Sequence, residues 1–173
     1  MRTVIDTSTL ISLARIHCLD LIPALKIDVI LPNEVYEEAV IIGEEKEIAD
    51  AFIIKSFLMN NHIKIESVDN NNKQYLRQKL NKILSKGDEA ILALAVKRKA
   101  NQIITNDDGL GKIASALGFR VNATPDLLLQ GLIANLFDIE KFEIYIRGLV
   151  LENRVSSVVA ELYIMEGKKY VKS

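Results

Sequence analysis

The chain has 173 residues, 49% of them hydrophobic, with 22 basic and 23 acidic residues, a net charge of −1 and a single cysteine. This composition suits one packed domain and excludes a disordered chain, a nucleic-acid binder with a long-range basic field, an intramolecular disulfide and a cysteine-based zinc ribbon. No signal peptide opens the chain and no apolar run is long enough for a bilayer, so a cytoplasmic protein with no membrane partner is expected.

Residues 2–5 (Arg-Thr-Val-Ile) are a short strand that stops at Asp6. Thr7-Ser8-Thr9 and the periodic set Leu10, Ile11, Leu13, Ala14 and Ile16 follow as a helix, with Ser8 or Thr7 as the capping oxygen. Asp6 has two readings here, as a cap for its own helix or as a functional acid at the end of a central strand. Cys18, in an apolar helical stretch, is a small buried residue rather than a nucleophile. A short helix is predicted over 19–25 and a strand over 27–31. Pro32 then opens a helix carrying Glu34, Glu37 and Glu38. Glu38 and Glu34 fall near the Val35 face and Glu37 off it, so a glutamate on the inward side needs a partner.

Residues 43–47 read as a charged break, 48–58 as an amphipathic helix and 62–67 as an edge strand. A polar loop over 69–72 leads to a helix over 73–84 with Arg77, Lys79 and Lys82, whose usual meaning is a solvated face and whose alternative is phosphate tracking. Gly87-Asp88-Glu89 then starts a helix that is apolar nearly all round and therefore buried, ending in Lys97-Arg98-Lys99. Asp88 stands where this helix starts; Glu89 points about 100° away. A strand over 101–105 runs into Asn106-Asp107-Asp108-Gly109. Asp-Gly explains Asp108 as a turn residue, and Asp107 less well. A helix over 110–117 ends at Gly118, a strand covers 119–121, and a helix follows from Asp126 to about Ile133. Two amphipathic segments, 138–151 and 156–165, close the chain as packing or partner-binding helices.

Asp6, Asp88 and Asp107 thus gather at strand ends, with Glu38 from a helix. Two carboxylates 5 Å apart repel by about 3 kcal/mol at an effective dielectric of 20, which packing does not explain. Oxygen donors without Cys or His select Mg²⁺ or Mn²⁺ over zinc, and such a site suits phosphodiester hydrolysis.

The motifs VIDTSTLI, PNEVYEEAV, LSKGDEAILALA and IITNDDGLGKIASALGF stand in the order and spacing of a known family. Over residues 1–133 the chain resembles PIN-domain ribonucleases, including their VapC toxin type. The resemblance implies an α/β fold of three α/β/α layers around a parallel sheet. It also implies Mg²⁺- or Mn²⁺-dependent cleavage of single-stranded RNA. Its acidic quartet falls on Asp6, Glu38, Asp88 and Asp107, with Asp6, Asp88 and Asp107 toward the metal. Thr7 or Ser8 takes the family's hydroxyl, and Asp108 and Lys112 are accessory or substrate-contacting. Residues 134–173 are expected as a C-terminal helical extension on the same domain.

An antitoxin or other small protein, or a second copy in a homodimer, is an open partner. Ribosome-maturation relatives carry a zinc ribbon that one cysteine rules out, and toxin members are usually shorter. A haloacid-dehalogenase-type phosphotransfer site needs a second Asp where this chain has Ser8. A receiver-like module that binds metal or a partner without catalysis would share the fold, but four acids exceed what it needs.

Overall fold

The computed structural model describes residues 2–80 and 82–170. Five parallel strands, β1 (Arg2–Ile5), β2 (Asp28–Pro32), β3 (Lys64–Glu66), β4 (Gln102–Ile104) and β5 (Arg120–Asn122), form one sheet in the order β3-β2-β1-β4-β5. In the central strands β2, β1 and β4 every residue after the first is buried, because both faces of a parallel sheet are covered. Thr3 pairs with Val29 on one side and Gln102 on the other. The edge strand β3 is short and charged (Lys-Ile-Glu), which blunts it against edge-to-edge pairing.

Helix α1 (Thr7–Arg15) leaves β1, α2 (Leu21–Ala24) leads into β2, and α3 (Asn33–Tyr36) leaves β2. From α3 the chain passes through a π-turn, Glu37–Ile41, into α4 (Ile42–Glu45). The helix therefore continues where the sequence suggests a break over 43–47. Gly43 is buried, and a Cβ there would lie 2.5 Å from the Ala51 Cβ of α5 (Ala49–Asn60). Here glycine serves the close approach of two helices, and the chain turns only at Glu47, which has φ 54°.

Helix α6 (Asn70–Leu80) begins earlier than the sequence suggests. Asp69 caps it, accepting from the Asn72 N–H at 2.8 Å, so 70–72 is helical rather than loop. It also ends earlier: residues 82–84 are irregular, while Asn81 of the expected 73–84 helix lies outside the described residues. Glu34 has the partner its inward position requires, the Lys73 ammonium of α6 at 2.6 Å.

Helix α7 (Lys86–Arg98) is buried from Glu89 through Ala95 and ends with Lys99 in the left-handed region (φ 49°). Helix α8 (Asp108–Ala116) precedes the C′ glycine Gly118, whose φ of 90° suits a residue without a Cβ. Helices α9 (Thr124–Ile133), α10 (Ile139–Leu151) and α11 (Ser157–Lys168) complete the chain. Leu132, Phe142, Ile146, Leu149, Ala160 and Ile164 join the same apolar core as the sheet residues Val4, Ile30 and Ile103. No described helix is long and apolar enough to cross a membrane.

Candidate active site

Strand β1 lies between β2 and β4, so the chain leaves it toward one side for β2 and reaches β4 on the other. That reversal opens a crevice beyond the carboxyl ends of the strands. Asp6 is the first residue past β1, and its N–H still pairs with the Ile104 carbonyl at 3.1 Å. It caps α1 itself, as one of its two sequence readings had it: Oδ1 accepts from the Thr9 N–H at 2.8 Å, so the capping oxygen is not that of Ser8 or Thr7. Oδ2 accepts from the Ser8 hydroxyl at 2.8 Å and the Thr105 hydroxyl at 2.6 Å. Three donors thus fix the orientation of a carboxylate that is 5% exposed.

The π-turn brings in the second acid. It turns both Ala39 and Val40 into the core and leaves Glu38 on the crevice side, where Oε2 accepts from the Thr7 hydroxyl at 2.8 Å. Such one-residue insertions in helices are common where a side chain must be re-aimed. Asp88 lies in the first turn of α7, whose cap is Ser85, accepting from the Asp88 N–H at 3.1 Å. The Asp88 carboxylate itself has no hydrogen-bond donor or cation among the described residues. Asp107 caps α8, Oδ1 accepting from the Leu110 N–H at 2.7 Å. This reverses the local reading from sequence: Asp108 is the first residue of α8 rather than a turn residue, and Asp107 has the local role, as its cap.

These four carboxylates line one notch of about 330 Å³ together with Thr7, Ser8, Ser85, Gly87 and Ile91. No lysine, arginine or histidine is among its lining residues. Glu34 and Glu37 are elsewhere, paired with Lys73 and Lys86. Glu89 turns away from the notch into an ion pair with Arg77. Asp108 and Lys112 line an adjoining groove that shares Asp107 with the notch, so they flank the acids rather than join them.

Among the described residues no three His, Cys, Asp or Glu side chains form a ready-made cage for a metal ion. The donors present are nonetheless all oxygens, the kind that suit a hard cation such as Mg²⁺, which keeps several waters. Among the described residues Asp88, Asp107 Oδ2 and Glu38 Oε1 offer oxygens that accept no hydrogen bond.

Thr105 is the site residue that sequence reading missed. Buried at the end of β4, it donates to Asp6 and accepts from the Asp107 N–H at 3.0 Å, joining two of the acids through one hydroxyl. A hydroxyl-bearing residue between an apolar strand and an acidic turn was its only signal.

A parallel five-stranded sheet covered by helices, with acids collected at its switch point, is the PIN-like class of α/β/α fold. The family model described as DUF3368: PIN domain matches residues 2–153, and the chain belongs to that family. Among solved structures it resembles VapC20 of Mycobacterium tuberculosis, a sarcin–ricin loop cleaving toxin, with 18% identity and a TM-score of 0.50. The match covers 68% of this chain and 95% of VapC20, and at that identity it is a likeness of fold. No curated protein matches the chain significantly.

Proposed function

We propose that the protein is a divalent-metal-dependent endoribonuclease that hydrolyses phosphodiester bonds of single-stranded RNA through Asp6, Glu38, Asp88 and Asp107. The observation that carries this reading is the meeting of four carboxylates, from four separate stretches, in one notch whose lining has no cation. Asp6, Asp88 and Asp107 are the residues that would hold Mg²⁺ or Mn²⁺. When bound, such an ion offsets charge on the scissile phosphate and lowers the pKa of a coordinated water.

The chain's own residues then divide the work. Asp6 is held rigidly by Thr9, Ser8 and Thr105 and gives the site a fixed edge. Glu38, with Oε2 occupied by Thr7, has Oε1 to orient the attacking water and take its proton. As the water oxygen bonds to phosphorus, the bond to the ribose oxygen on the opposite side breaks, and that oxygen takes a proton from solvent to leave as a hydroxyl. The hydroxyls of Thr7, Ser8 and Thr105 hold Glu38 and Asp6 where the phosphate arrives.

The fold likeness to a toxin favours a second, narrower version, in which this nuclease is the toxin of a toxin–antitoxin pair and a small protein covers the notch. Co-expression with the adjacent open reading frame followed by a pull-down tests it; recovery of the chain alone counts against it. The nuclease reading itself is tested by incubating the purified chain with labelled single-stranded RNA. Cleavage is expected with Mn²⁺ or Mg²⁺ and not with chelator, and it should be lost in Asp6→Asn. Equal cleavage by that variant would overturn the assignment.

A further inference from the structure

The charge of this chain is nearly balanced overall but not locally. Residues 70–87 contain Lys73, Arg77, Lys79, Lys82 and Lys86, five of the 22 basic residues, and none of the 23 acidic ones. The structure places the described residues of that run in α6 and ahead of α7, beside the acidic notch; Lys73, Arg77 and Lys86 pair with Glu34, Glu89 and Glu37, and Lys79 and Lys82 have no carboxylate partner among the described residues. Ser85, Gly87 and Asp88 line the notch, while Leu84 and Glu89 line a second cavity of about 450 Å³ with Arg77, Lys82 and Ile83. The two openings are therefore neighbours across one turn of chain, with Asp88 facing one and Glu89 the other.

The second cavity has a built-in anion fork. The Glu89 side chain is only 7% exposed, and Arg77 pairs with it through Nε and Nη2. Arg77 is itself 63% exposed, so its remaining N–H groups stay available to solvent in an orientation the buried carboxylate fixes. Lys82 has no carboxylate partner among the described residues. Between these cations Ile83 is 96% exposed, an apolar side chain left uncovered by the described residues.

Resting on the ribonuclease reading above, we propose that this basic wall is the path of the RNA strand on one side of the cut. Arg77 and Lys82 receive the phosphate next to the scissile one, and Ile83 meets an unstacked base. The wall supplies the local cationic patch that a chain of net charge −1 needs in order to bring a polyanion to a carboxylate notch. It favours a single strand, because only an unpaired base can be splayed onto Ile83.

The test is fluorescence anisotropy of a single-stranded RNA oligonucleotide with the full-length protein in chelator, where nothing is cleaved, over a series of salt concentrations. For Lys82→Gln the affinity should fall roughly fivefold and the log–log salt slope by about 0.7, the value for one lost phosphate contact on a single strand. Lys82→Arg should keep both. In Mg²⁺ the same Lys82→Gln change should raise KM and leave kcat in place. Affinity and slope unchanged in Lys82→Gln, with RNA still bound and cleaved by the unsubstituted chain, would overturn the path alone. No binding or cleavage of RNA by the unsubstituted chain would overturn the ribonuclease reading and the path with it.

Discussion

Thr105 shows how much a single hydroxyl does in this site. One proton goes to Asp6 Oδ2, and one lone pair takes the Asp107 N–H. Thr105→Val keeps the volume and removes both contacts, leaving the buried Asp6 carboxylate one donor short at a cost of about 1–3 kcal/mol. We expect it to lower the melting temperature and the turnover together, with Thr105→Ser restoring most of both; loss of turnover without rescue by serine would argue against the linking role. Asp107 separates charge from capping. Asparagine caps a helix as well as aspartate does, so Asp107→Asn should leave the melting temperature close to that of the parent and lower turnover at least tenfold. Asp107→Ala should lose about 1 kcal/mol of stability as well, read from denaturant unfolding. Burial pushes the Cys18 thiol up to about 11. At pH 8 a thiol reagent should therefore label the folded protein slowly and the unfolded protein at once. The acids themselves were legible as residues, since strand-end carboxylates stand out in sequence. Thr105 was not, because a threonine at a strand end is indistinguishable from ordinary β-propensity.

At the scale of elements, the sheet and its helices follow from periodicity, and the misreadings share one cause. Glycine and charge ordinarily mark a break, yet at 43–47 the glycine is needed for packing and the charges face out. Gly43→Ala would set two methyl groups 2.5 Å apart, and neither is the end of a flexible chain. It should destabilise the protein by roughly 1–3 kcal/mol, measured by chemical denaturation; a neutral result would mean that the helices separate easily. The start of α6 was misplaced because asparagines read as loop until Asp69 is seen to cap them. The π-turn at Glu37–Ile41 could not be read at all. A helix of wider pitch leaves no mark in the hydrophobic pattern of five residues, and yet it is what sets Glu38 beside Thr7.

For the whole molecule, the notch is a local surplus of negative charge, with four acids and no cation among its lining residues. A cation that binds only the folded state stabilises it by about 2.7 kcal/mol at a hundredfold excess over Kd, roughly 5 to 10 °C for a chain of this size. Scanning calorimetry with Mg²⁺, Mn²⁺ and chelator should show that rise, and it should disappear in Asp6→Asn. Equal midpoints in all three conditions would count against a metal site.

Placing β1 at the centre of the sheet, beside a strand made much later, has a consequence for timing. Asp6 is translated well before the hydroxyl and carboxylate that complete its surroundings, which belong to residues 105 and 107. At ordinary translation speeds that separation amounts to roughly 5 to 20 s. On the ribonuclease reading, a nascent chain is therefore harmless to the message it is being read from until residues 105 and 107 have been made.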